Sequence, residues 1–457
     1  MKKTIRLFVT LLALPVVQIA CSKSSGNATT APVTYTVTYY GNGATGGSVP
    51  IDSNHYTEGQ AVTVLGNSGN LVHTGYTFTN WNTQANGNGA TYTQGQTFTI
   101  GGANAALYAQ WTANAVAPDT IGYAYVANLG DPGTNGAYQF SIGSNGALTP
   151  MNPATVVTGN VPECVAVDPL GKYAYITNTE GSPGSVSQYT IGANGSLLAM
   201  ATPFVRAGGI YPVSIVVLPS GKFAYVANNQ SGDISEFSIG ADGSLTFMDT
   251  ILSGKGYPNA PAGITTDPAG KYIYVANADG NCISQYTVGI NGLLSPMSPD
   301  TVYAGKNVHG LASSPSGKFL YSVTYDTALV WAFSIGADGK LSYLSTTSLP
   351  VGAFALGVAV DPSGKYLYVA NSALPGQAIS QFTIGSDGSL SPMTPATVAA
   401  EDAANCVTVD PSGKYVYSTT MYSVSQFTVG ANGALAPMTP ATVTSGTGSF
   451  CIVTVKK

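Results

Sequence analysis

Two side chains in the long repeated part of this chain are suited to moving protons. His309 is the only histidine beyond residue 73, and Glu163 stands in a neighbourhood with few other charges. An imidazole and a carboxyl group can act as an acid–base pair, one taking a proton from water while the other gives one to a leaving group. Arg206 is one of only two arginines, and with Lys255 and Lys306 it is the available means of holding an anion. Asn405 and Tyr211 add neutral hydrogen-bonding groups. The plainer alternative is that His309 and Glu163 are solvated polar residues with no reaction to perform. No phosphate-binding loop, dinucleotide fingerprint, metal-spaced His/Cys cluster or nucleophile elbow is present, so no cofactor and no metal are expected. A net charge of -5 and the lack of a basic run past the first residues argue against nucleic-acid binding.

The cysteines divide into two groups. Cys21 follows Lys2, Lys3 and an apolar run from about Leu7 to Ala20, the anatomy of a signal peptide over residues 1–20. The sequence Gln18-Ile19-Ala20-Cys21, followed by a polar tether over 21–34, resembles a bacterial lipoprotein processing site. The resemblance implies lipidation at Cys21 and a membrane partner through that anchor. The alternative is a simple secretory signal. Cys164, Cys406 and Cys451 occupy equivalent places in the repeat described next, where a disulfide between two of them competes with buried free thiols. Cys282 has no evident partner.

What must position these residues is a repeat. Tyr123, Tyr173, Phe223, Tyr272, Phe319, Tyr366 and Tyr415, spaced 47 to 50 residues apart, each open an aromatic-x-Tyr strand. Six are preceded by a turn such as Asp361-Pro362-Ser363-Gly364-Lys365. Each is followed by a strand ending at Asn-Gly or Asp-Gly, a tight-turn pair, and then by an outer strand often carrying proline, which blunts an exposed edge. Short alternating strands at such a period predict an all-β fold, with the repeats as propeller blades. An inner strand precedes each turn, and the seventh inner strand is Cys451-Ile452-Val453-Thr454. The first blade lacks its own, so the last strand of the chain is expected to close a seven-bladed ring over 118–457. Aligned on the turns, Glu163, Val213, Ala262, His309, Leu356, Asn405 and Phe450 share one ring position at the channel mouth. Glu163 and His309 then lie three blades apart, across the channel.

Residues 35–112 read differently. The strands Tyr35-Thr36-Val37-Thr38-Tyr39-Tyr40, Gly75-Tyr76-Thr77-Phe78-Thr79-Asn80-Trp81 and Ala106-Leu107-Tyr108-Ala109-Gln110-Trp111 form a series. It resembles the Listeria–Bacteroides repeat, or internalin B-repeat. The resemblance implies a small β-grasp-like module with Tyr76, Phe78, Trp81 and Trp111 as its core, found on bacterial surface proteins.

The Tyr-Val-Ala-Asn strand endings, the Asp-Pro-x-Gly-Lys turns and the period together resemble the YVTN and lactonase-like seven-bladed propeller family. That family includes 6-phosphogluconolactonase-type and muconate-cyclising enzymes. Relatives often carry Pro-His at the ring position, and Val308-His309-Gly310 is the one match. Two functional expectations follow. One is a monomeric cell-envelope lipoprotein whose propeller is a binding, scaffold or adhesion surface for a protein or glycan, with Tyr211, Tyr257 and Tyr303 as candidate sugar contacts. The alternative is an extracytoplasmic lactonase-like hydrolase or isomerase working at the channel mouth, through His309 and Glu163 with Arg206, Asn405 and Tyr211 as ligand-binding candidates.

Overall fold

The Asp-Pro-x-Gly-Lys segments fold as turns capped by their own first side chain. In the computed structural model, Asp361 Oδ1 accepts from the backbone N–H of Lys365 at 2.8 Å and of Tyr366 at 2.7 Å. Gly364 donates to the Asp361 carbonyl at 2.9 Å with φ at 71°, a left-handed conformation that glycine adopts without Cβ strain. Asp168, Asp267 and Asp410 do the same. Ser314 substitutes its Oγ, which accepts from Phe319 N at 3.0 Å. Leu218 keeps only the backbone bonds. The turn lysines, Lys365 among them, are exposed. The structure describes residues 32–73, 75–113, 119–130, 136–254, 259–350, 354–372 and 378–457. Cys21, with its proposed signal and most of its tether, lies outside these residues, as do Lys255 and Tyr257.

Each turn joins an inner strand to a second strand, and seven four-stranded antiparallel sheets result. Blade two is typical: Pro162–Val167, Tyr173–Asn178, Ser185–Ile191 and Leu197–Arg206, in that spatial order. Blade one is assembled from both ends of the array. Its inner strand is Ser449–Lys456, paired antiparallel to Gly122–Asn128 with Ile452 opposite Val126, followed by Gly136–Ile142 and Leu148–Val157. The chain is all-β, and the seven-bladed propeller is closed by its last strand.

The buried residues lie between blades. In one cluster Tyr368, Ala370 and Ile379 of blade six pack on Val407, Val416 and Phe427 of blade seven. Equivalent clusters fill each of the other junctions, including that between blades seven and one. Such burial is the main source of stability in an array of this kind. Two repeated polar contacts fix how neighbours meet. The second tyrosine of each aromatic-x-Tyr strand donates its hydroxyl to the turn glycine of the next blade. Tyr368 reaches Gly433 O at 2.7 Å, and Tyr417 completes the circle at Gly146 O, 2.7 Å. All seven junctions have this bond. A glutamine on the third strand also accepts from the first residue of the next blade's outer strand, as Gln381 does from Leu435 N at 2.6 Å. Blade three has Glu236 in this role, accepting from Leu294 N at 3.0 Å, and blade five has Ala332 at the equivalent position.

The N-terminal module is a mixed sheet. Val37–Tyr40 runs parallel to Ala105–Ala113, which pairs antiparallel with Tyr76–Asn82 and so reaches Thr91–Tyr92. Trp81 is fully buried and donates its indole N–H to Leu65 O at 3.0 Å. Phe78 and Trp111 pack against the same core. Tyr76 lies at its margin, stacked on His73 with ring centroids 4.2 Å apart.

Candidate functional site

The inner strands converge so closely that side chains near the axis must be small. A Cβ added at Gly310 would stand 2.5 Å from the Leu356 carbonyl, and one at Gly357 would stand 2.9 Å from Cys406 Cα. One residue earlier, at the ring position, the strands have just begun and there is room. All seven ring positions and the seven small residues after them line one open cavity of about 390 Å³. Glu163, Tyr211, His309 and Asn405 are therefore together in one site.

The residue just before the inner strand is held at positive φ in five blades: Val161 (55°), Tyr211 (62°), Ala260 (46°), Asn307 (53°) and Phe354 (72°). In each the carbonyl accepts from an N–H at the end of the same blade's second strand, for example Tyr325 N to Asn307 O at 2.9 Å. A left-handed conformation costs a non-glycine residue roughly 1 kcal/mol or more. Its recurrence shows that the chain's path into the inner strand demands it. Tyr211 is placed by this bend at the cavity rim, 40% exposed.

His309 is positioned by groups that its own sequence context does not announce. Its Nε2 lies 3.0 Å from Asn307 Oδ1. Asn307 Nδ2 in turn points to Asp326 Oδ1 at 3.5 Å. A carboxylate only accepts, so the Asn307 amide presents its nitrogen to Asp326 and its oxygen to His309. His309 Nε2–H is then the donor, and Nδ1 is left as the free acceptor. Burial pushes the His309 pKa below its ordinary value, with Asp326 acting weakly the other way, so the ring is neutral at physiological pH. The Tyr325 ring centroid is 5.5 Å from that of His309 and 4.8 Å from that of Phe354, so an aromatic stack backs the imidazole and ends at the exposed Phe354.

Glu163 faces the same cavity from blade two. Burial raises its carboxyl to about 7, which keeps a protonated form within reach near neutral pH. Asn405 is more committed. It donates to Ser449 O at 3.1 Å and accepts from Ser372 Oγ at 3.4 Å. Asn229, which sequence reasoning did not single out, also lines the cavity, with its amide donating to Pro261 O at 3.1 Å.

Other expected residues fall elsewhere. Arg206 is the last residue of the outer strand of blade two, opposite Ser185, rather than part of the loop beyond it. It is exposed and does not line the cavity. It ends the outermost strand of its blade, three strands removed from the inner strands that line the cavity. Tyr303 likewise ends an outer strand, 61% exposed, and Lys306 points to solvent. Among the described residues no lysine or arginine lines the cavity, no cluster of His, Cys, Asp and Glu could hold a metal ion, and no helix is long and apolar enough to cross a membrane.

Comparison with known proteins agrees with this architecture. A profile described as Listeria-Bacteroides repeat domain matches residues 35–110. A Gly-rich membrane protein of Evansella cellulosilytica is 38% identical over 84 residues, which are 18% of this chain and 10% of that protein's length. The chain thus spans about a tenth of this curated relative. Among solved structures, a candidate 6-phosphogluconolactonase from Bacteroides fragilis superposes with a TM-score of 0.66 at 20% identity, covering 75% of this chain and 100% of that one. The periplasmic gluconolactonase of Pseudomonas aeruginosa gives 0.63 at 17% identity, covering 74% and 99%. These likenesses show a shared fold. A profile described as "Lactonase, 7-bladed beta-propeller" matches residues 123–256, 205–301 and 291–449, and by this match over most of its length the chain belongs to the lactonase seven-bladed β-propeller family.

Proposed function

We propose that the channel mouth hydrolyses the cyclic ester of an uncharged sugar-type lactone, in a compartment outside the cytoplasm. The observation that carries this reading is the pairing, in one cavity, of a neutral His309 oriented by Asn307 with a Glu163 whose pKa is about 7. Family membership and the gluconolactonase among the similar structures favour it over a purely structural or adhesive propeller. A lactone seated in the cavity between His309 and Glu163 has its carbonyl open to a water. His309 Nδ1 accepts a proton from that water as its oxygen adds to the carbonyl carbon. Glu163, in its protonated form, gives a proton to the ring oxygen as the carbon–oxygen bond breaks, and the product is the open hydroxy acid. Two groups whose pKa values are pushed apart by their surroundings suit this division of labour.

The same cavity argues for a substrate without phosphate. Phosphate recognition normally uses arginine forks or lysines, and none lines the site among the described residues. An ionised Glu163 would repel an anion. The two-lysine leader, Cys21 and the surface-type N-terminal module support export and lipid anchoring in a cell envelope, with the module as a stalk or adhesive element. Mass spectrometry of the mature N-terminus should find an acylated Cys21, and an unmodified peptide beginning elsewhere would refute the anchor.

The functional test is a lactone assay on the purified propeller. Hydrolysis of a neutral aldonolactone above the buffer rate is expected, with a fall of roughly 100-fold in kcat/KM for His309→Ala. No turnover above buffer with any neutral lactone would sink the proposal. A preference for the 6-phosphorylated lactone would overturn its account of specificity.

A further inference from the structure

The small residue after each ring position is glycine in blades four, five and six and serine in blade three. In blades seven, one and two it is Cys406, Cys451 and Cys164. Closeness to the axis explains small residues, but glycine or serine would serve. Three adjacent thiols are a further property of this arc. Cys451 is the middle one and is in hydrogen-bond contact with Cys164. Its Sγ is 3.2 Å from Cys164 Sγ and also accepts from Val165 N at 3.4 Å, so it already lies over the inner strand of blade two. All three are partly exposed and line the cavity, which gives a reagent access.

We propose that Cys164 and Cys451 form a disulfide that staples the closing strand Ser449–Lys456 to blade two, with Cys406 as a third thiol able to exchange into it. The two sulfurs need to approach by only about 1 Å to reach bonding distance. The oxidant is a disulfide donor, RSSR. The thiolate of Cys164 attacks one donor sulfur, forming a mixed disulfide and expelling RS⁻. Cys451 then attacks the Cys164 sulfur and expels the second RS⁻. The two protons lost by the cysteines go to the released thiolates, and two electrons pass to the donor. The hydrogen bond from Cys451 holds the Cys164 thiol below its ordinary value, which favours it as the first nucleophile. Cys406, at the same inner-strand position of the blade on the other side of Cys451, lines the same cavity and can attack Cys451 in turn. The link would close a loop of 287 residues across the seam of the ring. Cys282 stands apart on the third strand of blade four and provides an internal control.

The inference is independent of the catalytic reading, since neither Glu163 nor His309 takes part. Its test uses the full chain treated with oxidised glutathione or with dithiothreitol, alkylated in denaturant and mapped by peptide mass spectrometry. After oxidation a Cys164–Cys451 linked peptide is expected, with Cys282 and Cys406 alkylated. The thermal midpoint should fall by roughly 5 °C on reduction. Cys164→Ser should move the link to Cys406–Cys451, and Cys282→Ser should change nothing. Cys451→Ser should abolish both the link and the redox dependence of the midpoint. If that variant fails to fold, Cys406→Ser decides, because it leaves the pair intact: a retained link supports the staple and its absence overturns it. Equal alkylation of all four propeller thiols after oxidation would overturn it too, as would a bound metal with all three thiols reduced.

Discussion

A neutral imidazole and a protonated carboxyl coexist only within a pH window. Burial sets both limits at this site, lowering His309 and raising Glu163 to about 7. If Glu163 is the acid, kcat/KM for lactone hydrolysis falls above about pH 7 as its proton is lost, and falls at low pH as His309 charges. Glu163→Gln should remove the upper limb and lower the plateau, measured as a pH–rate profile. A profile that keeps its upper limb would show that another group is responsible. The ring alignment makes the shared position of Glu163 and His309 legible from sequence, because each is the second residue of an inner strand that precedes a copy of the repeated turn. Asn307 and Asp326 were not legible. Their role depends on a left-handed residue and on a loop 19 residues away, and neither leaves a periodic trace. The one signal was Asn307 itself, a residue type that tolerates positive φ. Arg206 misled for the opposite reason. Its scarcity drew notice, while the outermost place of the strand that carries it decided where it went.

At the scale of the element, the repeat was legible because its turns and strands are local. What the repeated tyrosine does was not. In the sequence Tyr368 is only the second aromatic of one aromatic-x-Tyr strand. In the fold it donates to Gly433, 65 residues on, and only the register of neighbouring blades reveals that partner. The third-strand glutamine is the same kind of residue, and blade three tests it naturally. Glu236 is buried among the same contacts, and burial raises its carboxyl above the usual value while the Leu294 N–H acts against that rise. A folded-state pKa above the unfolded one means that the native state holds the proton more tightly. Stability is then greatest below the unfolded value and declines as pH rises through the folded value. Glu236→Gln restores the group used in most other blades and should raise the thermal midpoint at pH 8 by roughly 2 °C, with little change at pH 4. Equal midpoints at both pH values would refute this account.

At the scale of the molecule, the ring is held at seven junctions of similar build, and the two that flank blade one depend on the last strand. Deleting residues 449–457 removes the inner strand of blade one and leaves Gly122–Asn128 as an open edge. The variant is expected to aggregate or to melt at least roughly 10 °C lower, read by size-exclusion chromatography and calorimetry. Native-like melting would show that closure contributes little. This closure has a consequence for the order of events in making the protein. Gly122–Asn128 is synthesised near the start of the array, and its partner Ser449–Lys456 is synthesised at the end. Tyr125 and Val126, fully buried in the finished ring, must wait for every other blade to be made before their strand is covered. During that interval the waiting edge is open to the last strand of another copy, which has the same sequence as its own. The cell must bring each chain to completion in isolation, or risk rings that share their final strands.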